Sequence, residues 1–475
     1  MQSAVLADEW GPCFFGERTM QLEVIILAAG QGKRMQSALP KVLHALAGRP
    51  LLEHVVGTAL ELQPLAVHVV IGHGSDAVAQ ALSGYKVNWV IQEQQLGTGH
   101  GVLQAMPAVS PESTVLVLYG DVPLIGRATL QALVSMADSG PALLTASVAD
   151  PAGYGRILRD EAGALVAVVE HRDASDAQRD ICEINTGVLA APARDLLEYL
   201  PRVGNDNTQG EYYLPDILSL AVAEGRTVGS CQAESELEVL GVNDQLQLQQ
   251  LERECQRRQA VQLMRDGVAL ADASRIDVRG TLSCGTDVRI DVNVVFEGEV
   301  NLGNNVVIGP NCVLRDVSIG DGATIHAMSH LQEAQVGPGC SVGPYARLRP
   351  GTRLAPGARV GNFVETKKAD IGAGSKVNHL SYIGDCTMGP GVNIGAGTIT
   401  CNYDGVNKHR TEIGEDVFVG SNSTLVAPLS IAAGGFVAAG STITRVVERD
   451  ELAVSRARQR NIHGWQRPGK RPTED

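Results

Sequence analysis

The sequence predicts an α/β domain with a mostly parallel sheet, then a connecting helix, then a parallel β-helix assembled from hexapeptides. Three patterns in its 475 residues carry that expectation. Short apolar runs alternate with helical patterns through the first half, and an amphipathic stretch follows them. From Leu302 to Ile443 an aliphatic residue then recurs at every sixth position, with occasional fives, very often followed by glycine. A six-residue beat fits neither a 3.6-residue helix nor an alternating strand, but it fits a coil in which each hexad makes one flat strand and one tight turn.

Residues 1–22 contain Asp8, Trp10 and Phe14-Phe15 and lack the basic start and apolar core of a signal peptide. They are expected to be a disordered extension, or a misassigned start with Met20 as the true one. The α/β domain is expected over 23–243. Its strands fall at Val24–Leu27, Val67–Ile71, Val87–Ile91, Val115–Tyr119 and Leu143–Val148, and a helix begins near Leu51. Strands alternating with helices imply ligands at the carboxyl ends of the strands. Over 244–266, Leu246, Leu248, Leu251, Cys255, Val261, Leu263 and Met264 form the apolar pattern of a connecting helix, with Glu252, Arg253, Arg257 and Arg258 outward.

The solenoid is expected over 267–445. Its hexads group by three, with steps of 17 from Leu302 to Ile319 and to Val336, 18 to Leu354, and 17 to Ile371 and to Met388, which describes a triangular prism with its aliphatics inward. Met388 to Ile413 spans 25 residues where 18 would close a coil. Seven residues around Cys401–Asn407 must therefore leave the prism as a loop. That loop is either a tolerated insertion or, as loops on rigid scaffolds often are, a carrier of binding groups. Residues 446–475 read as a basic tail with Arg456, Arg458, Arg460, Arg467, Lys470 and Arg471.

Composition bounds the function. The formal charge of −14 argues against nucleic acid as the main partner, and no apolar run is long enough to cross a bilayer. Nine cysteines without a Cys-x-x-Cys pair point to a reduced, cytoplasmic protein and away from zinc.

Chemistry concentrates at two places. The turn Ala28-Ala29-Gly30-Gln31-Gly32-Lys33-Arg34-Met35 follows the first strand and is neither a dinucleotide fingerprint nor a Walker loop. Its amides can cradle phosphate oxygens, helped by Arg34 and Lys41. Gln92, Gly97 and Thr98 follow the third strand, and Tyr119-Gly120-Asp121 ends the fourth. Asp121 either caps a turn or offers Mg²⁺ a hard oxygen ligand. On the solenoid, His379 is either a structural imidazole or a general base able to take a proton from an ammonium.

The segment Leu27-Ala28-Ala29-Gly30-x-Gly-x-Arg34-Met35 with Pro40-Lys41 resembles the signature of sugar-phosphate nucleotidyltransferases. Together with the solenoid, the chain from about Glu23 to about Arg460 is similar to the bacterial bifunctional N-acetylglucosamine-1-phosphate uridyltransferases/glucosamine-1-phosphate acetyltransferases. The resemblance implies a Rossmann-like N-terminal domain and a left-handed β-helix. It implies acetylation of glucosamine 1-phosphate by acetyl-CoA, then transfer of UMP from UTP, giving UDP-N-acetylglucosamine for peptidoglycan, lipopolysaccharide and lipid A. Leu27, Ala28, Ala29, Gly30, Lys41, Gln92, Gly97, Thr98, Tyr119, Gly120 and Asp121 would hold the nucleotide. Gly155, Glu170 and Asn185 would hold the sugar, and Asp121 and Asn243 would bind Mg²⁺. Arg34 and Lys41 would neutralise developing charge. In the second site His379 would be the base, with Arg349, Lys367, Tyr382, Asn393, Asn402 and Tyr403 on the sugar phosphate and Ala396, Ser421, Ala439 and Arg456 on acetyl-CoA. Arg347, Arg353 and Lys368 read as solvated charges. A homotrimer that completes each acetyl site with a neighbour's residues is also implied. Lys33 departs from the family's usual Thr. The rival readings are a related nucleotidyltransferase with a vestigial solenoid, and a β-helix protein that only senses nucleotide sugars.

Overall fold

The computed structural model describes residues 21–30, 32–72 and 74–469. The expectations for residues 1–20, the Lys33 side chain, Lys470 and Arg471 lie outside the described residues. The chain divides into two compact units, residues 1–255 and 256–475.

In the first unit Leu22–Leu27 is an inner strand of a twisted sheet, with Ala66–Ile71 and Thr114–Tyr119 parallel on either side and Asn88–Ile91 at one edge. Both faces of the three inner strands are buried, as their largely apolar runs require, whereas Asn88 and Ile91 on the edge strand stay exposed. The strand Glu183–Pro192 runs antiparallel between Thr114–Tyr119 and Ala142–Ser147, and a β-bulge between Asn185 and Leu189 breaks its register. Helices Leu51–Glu61 and Arg127–Met136 bury Leu52, Val55, Leu130 and Leu133 against one face, while Thr98–Ala105 and Asp216–Ala223 cover the other.

The helix Gln245–Arg265 falls where the apolar pattern placed it, but its faces differ from the expectation. Leu251 and Cys255 are buried, whereas Leu246 is 82% exposed and Met264 is also exposed. The five residues from Leu246 to Leu251 turn a 3.6-residue helix through well over a full turn, so Leu246 leaves the stripe that Leu251 and Cys255 define. Glu252, expected outward, accepts the Ala47 N–H at 2.7 Å.

The second unit is a left-handed parallel β-helix, and every inward position of the expected beat is buried, from Leu302 through Thr400 to Ile443. One face is a ladder of two-residue strands such as Val307–Ile308, Thr324–Ile325 and Ser341–Val342. The other two merge where longer strands bend around a corner, as in Glu365–Ile371 and Tyr382–Met388. Coils extend upstream of the regular beat to Ala269–Leu270 and Ile276–Cys284. At the far end Leu452–Ala453 pairs with Phe436–Val437, so the last coil runs past residue 445 into what reads as tail in the sequence.

One corner of the prism positions the chemistry. Asn293, Asn311, Met328, Tyr345, Phe363, Leu380, Gly397, Asn422 and Gly440 occupy equivalent places with positive φ, and each N–H from Asn311 onward bonds a carbonyl one coil back. Asn and Gly are the residues that tolerate this conformation. In the middle four coils the corner is instead Met328, Tyr345, Phe363 and Leu380, all exposed, with the Tyr345 and Phe363 rings stacked at 5.2 Å.

Candidate active sites

The carboxyl ends of the central strands open onto a cavity of about 220 Å³ in the first unit. Leu27, Ala28, Ala29, Gly30, Lys41, Gln92, Gly97, Thr98, Tyr119 and Asp121 all line it. Gly120 stands just behind, its N–H donating to Leu27 O at 2.9 Å. Val42, Gln95, Gly101 and Glu211 also line the cavity and carry no sequence motif. Glu211 arrives because the segment after it is tied to the 97–99 turn: Tyr212 O accepts the Gly99 N–H at 2.8 Å, and Thr98 Oγ1 accepts the Leu214 N–H at 3.0 Å. Gly97 has φ 113°, and a Cβ there would stand 2.6 Å from Tyr212 O, so only glycine fits both the turn and the approach.

At one wall Lys41 Nζ donates to Asp121 Oδ2 and lies 3.4 Å from Asn243 Oδ1, while Arg34 Nη2 donates to that same amide oxygen at 2.8 Å. Asn243 reaches Asp121 because the Val242 N–H bonds Asp121 O at 2.9 Å. Two hard oxygens thus converge on one cation. Among the described residues no cluster of three or more His, Cys, Asp or Glu could hold a metal. A carboxylate and an amide oxygen are instead the sparse set that Mg²⁺ accepts when phosphates supply its other ligands.

Gly155, Glu170 and Asn185 form a neighbouring group. The Asn185 N–H bonds Gly155 O at 2.8 Å, and a Cβ at Gly155 would approach Glu170 Oε1 to 3.0 Å. Asn185 Oδ1 accepts the Gly187 N–H, and Gly187 abuts the Tyr119 ring, which links this group to the first cavity. Burial, then the charges of Asp216 and Asp173, raise the Glu170 carboxyl. Burial also pushes the Tyr119 phenol well up, so it serves as a neutral hydroxyl.

In the second unit the predicted residues fall into two sets. His379, Ala396, Ser421 and Ala439 stand one per coil, each just before the positive-φ corner: the Gly397 N–H meets His379 O, Asn422 N–H meets Ala396 O, and Gly440 N–H meets Ser421 O. Arg456 continues the column, its Nη1 donating to Ala439 O at 2.7 Å. The His379 imidazole is exposed and its Nδ1 lies 2.8 Å from Asn362 Oδ1. The other set is a group of cations beside the ejected loop. Arg349 Nη1 donates to Glu365 at 2.8 Å, and the Lys367 ammonium is pushed below its usual range by hydrogen-bond contact with Lys408 and by the charges of Lys408 and Arg349. Asn402 Nδ2 donates to Asp385, and the Tyr382 hydroxyl lies over Gly384, the ladder partner of Lys367. Asn393 sits apart from these, between Lys376 and Phe418 on the ladder of two-residue strands. Lys408 was missed in the sequence. Its signal was being a cation in the very loop whose length stood out. Arg347 approaches Glu365 at 3.9 Å and stays largely exposed.

An α/β cleft walled by Lys41, Asp121 and Asn243, followed by a hexapeptide solenoid with a solvent-facing imidazole, defines a two-domain transferase, a nucleotidyltransferase joined to an acyltransferase-type β-helix. Residues 24–185 match the MobA-like NTP transferase domain. Over 94% of its length the chain is 57% identical to the bifunctional protein GlmU of Marinobacter nauticus, covering 99% of that protein. It is also 57% identical to that of Alkalilimnicola ehrlichii over 95% of the chain and 97% of the relative, and 55% identical to that of Bordetella parapertussis over 95% and 100%. The chain therefore belongs to the GlmU family, and it is a bifunctional enzyme with uridylyltransferase and acetyltransferase activities.

Proposed function

We propose that the two activities divide between the two units: the solenoid acetylates glucosamine 1-phosphate with acetyl-CoA, and the α/β cleft joins the resulting N-acetylglucosamine 1-phosphate to UMP from UTP. The observation that carries this reading is the exposed His379 imidazole standing in one column with Ala396, Ser421 and Ala439, in a different compact unit from the Lys41–Asp121–Asn243 convergence.

In the cleft a phosphate oxygen of the sugar attacks the α-phosphorus of UTP in line as the bond to the β-phosphate breaks and pyrophosphate leaves. No protein nucleophile is needed, so catalysis rests on positioning and on neutralising charge. Leu27–Gly30, Gln92, Gly97 and Thr98 hold the nucleotide, while Gly155, Glu170 and Asn185 hold the sugar. Asp121 and Asn243 would hold Mg²⁺, which supplies Lewis-acid neutralisation of the triphosphate when bound. Arg34 and Lys41, which engage those oxygens here, would neutralise the charge of the phosphates.

On the solenoid His379 Nε2 takes a proton from the sugar ammonium. The freed nitrogen attacks the thioester carbonyl, the C–S bond breaks, and CoA leaves as the amide forms. Arg349 and Lys367, with Lys408, hold the sugar's phosphate by charge, and Tyr382, Asn393, Asn402 and Tyr403 complete its contacts. Ala396, Ser421, Ala439 and Arg456 line the path of acetyl-CoA.

The assembly that suits this surface is a homotrimer through the β-helix. Four consecutive corners carry exposed Met328, Tyr345, Phe363 and Leu380 in a conformation that disfavours large side chains by about 1 kcal/mol each. Covering the exposed half of each by a second copy returns about 1–1.5 kcal/mol, and the covered edge adjoins His379. Among the described residues no helix is long and apolar enough to cross a membrane, and we place the enzyme in the cytoplasm.

The test is to follow thiol and pyrophosphate release with glucosamine 1-phosphate, acetyl-CoA, UTP and Mg²⁺. His379→Ala should lower CoA release about 10²–10⁴-fold and spare pyrophosphate release from N-acetylglucosamine 1-phosphate. Asp121→Ala should do the converse. Loss of both activities in either variant would end the proposed division.

A further inference from the structure

We infer that Asn362 is the positioning residue of the acetyl-transfer base: its side-chain carbonyl fixes the tautomer and orientation of His379. This rests on the reading of His379 as general base and adds to it the group that makes the imidazole fit for the task. Asn362 and His379 are ladder partners on Arg359–Asn362 and Lys376–His379. Asn362 holds the next coil at two consecutive residues. Its side-chain Oδ1 takes His379 Nδ1 at 2.8 Å, and its backbone carbonyl takes the Leu380 N–H at 3.1 Å.

The amide itself has little freedom. A Cβ at Gly361, the residue before it, would collide with Asn378 O in the coil stacked on it. Phe363, the residue after it, is held at positive φ with its N–H on Tyr345 O at 3.1 Å. Asn362 is thus pinned on both sides, and an exposed imidazole that would otherwise rotate is tied to a rigid corner. An amide oxygen can only accept, so Nδ1 must carry the proton in the neutral ring, which leaves the Nε2 lone pair as the base.

The choice of amide over carboxylate has a chemical consequence. A carboxylate on Nδ1 would favour the imidazolium and raise the pH needed to keep the base free; an amide orients without adding charge. The other charged groups on the strands around His379 are Arg359 and Lys376, three positions back along each strand, and Glu365, three positions beyond Asn362. Glu365 is engaged by Arg349.

The experiment compares Asn362→Ala, Asn362→Asp and His379→Ala in the full chain. It reads kcat and KM for glucosamine 1-phosphate by CoA release across pH 6–9, with the β-sheet circular dichroism of the solenoid and the KM itself reporting that each variant is folded. Asn362→Ala should lower kcat about tenfold or more with little change in KM, and that loss should vanish when His379 is also Ala. Asn362→Asp should move the acidic limb of the kcat profile to higher pH by about one unit, the lower end of what an adjacent opposite charge produces. A kcat unchanged in Asn362→Ala, or a loss without a shifted limb in Asn362→Asp, would overturn the assignment. Substantial CoA release from His379→Ala would instead strike the general-base reading beneath it.

Discussion

The two centres of this enzyme are built on opposite principles. The cleft proposed for the nucleotide is concave and gathers its lining from five separate stretches of one compact unit, from Leu27 to Glu211, at the carboxyl ends of strands whose flanks are buried. The residues proposed for acetyl transfer lie on the outside of a solenoid, one per coil, with His379 exposed and the Arg349–Lys367–Lys408 cations gathered as a separate set. A cleft can exclude water by itself. A flat prism wall needs a cover to do so, and the cover must come from another molecule or another copy.

The sharpest way to break that comparison is to remove the cover. Phe363→Asp keeps a residue that tolerates positive φ and deletes the centre of the exposed apolar corner. Sedimentation should show loss of the proposed trimer, and CoA release should fall about 10²-fold or more, while pyrophosphate release stays within about twofold of the parent. A fully active monomer would mean that the wall works uncovered.

This contrast also sets what the sequence could reveal. The hexad beat was legible because every inward position repeats one requirement, a small aliphatic on a flat strand, and the 25-residue interval announced its loop by arithmetic. Thr366 holds the inward place between Val360 and Ile371, where its hydroxyl is satisfied inside the core by Thr352 Oγ1 at 3.0 Å. The cleft's motifs were legible where backbone geometry dictates residue type, as at Gly97. Glu211 was not, because it is brought in by backbone bonds from Tyr212 and Leu214 that any residues could make. Leu246 was misplaced because hydrophobicity was counted without its helical angle. The apolar corner went unread for a physical reason: positive φ predicts Asn or Gly, and only the stacked structure shows Met328, Tyr345, Phe363 and Leu380 defying that preference together.

A smaller effect tests how the exposed wall holds its substrate without a cleft. Lys408 lies close enough to Lys367 to depress its ammonium, a repulsion that a bound phosphate dianion would relieve. Lys408→Ala should raise KM for glucosamine 1-phosphate about tenfold, as expected for one charged hydrogen bond, and leave KM for UTP alone. It should also leave turnover of glucosamine lacking the phosphate nearly unchanged. An equal loss with both amines would place Lys408 outside the phosphate contacts.

The smallest effect concerns the loop itself, which must stay in place although nothing buries it. Asp404 holds it by accepting from His409 Nε2 at 2.8 Å and from the Asn407 and Val406 N–H groups at 2.6 and 2.8 Å. Those bonds, the His409 one foremost, keep the Asp404 carboxyl far below its ordinary 3.8. A carboxyl depressed in the folded loop contributes its hold at every pH above 3.8 and loses it only as pH falls below that value toward the depressed one. Hydrogen exchange should therefore find the Val406 and Asn407 amides protected from pH 7 down through 3.8, with protection fading only below. In Asp404→Asn protection should be weak at all pH, because an amide lacks the charge that His409 and two N–H groups share. A protection midpoint at 3.8 in the parent would mean that these bonds do not outlive an ordinary carboxylate, and that the loop is held by its other bonds, such as Asn402 with Asp385 and the His409 N–H with Asn402 O.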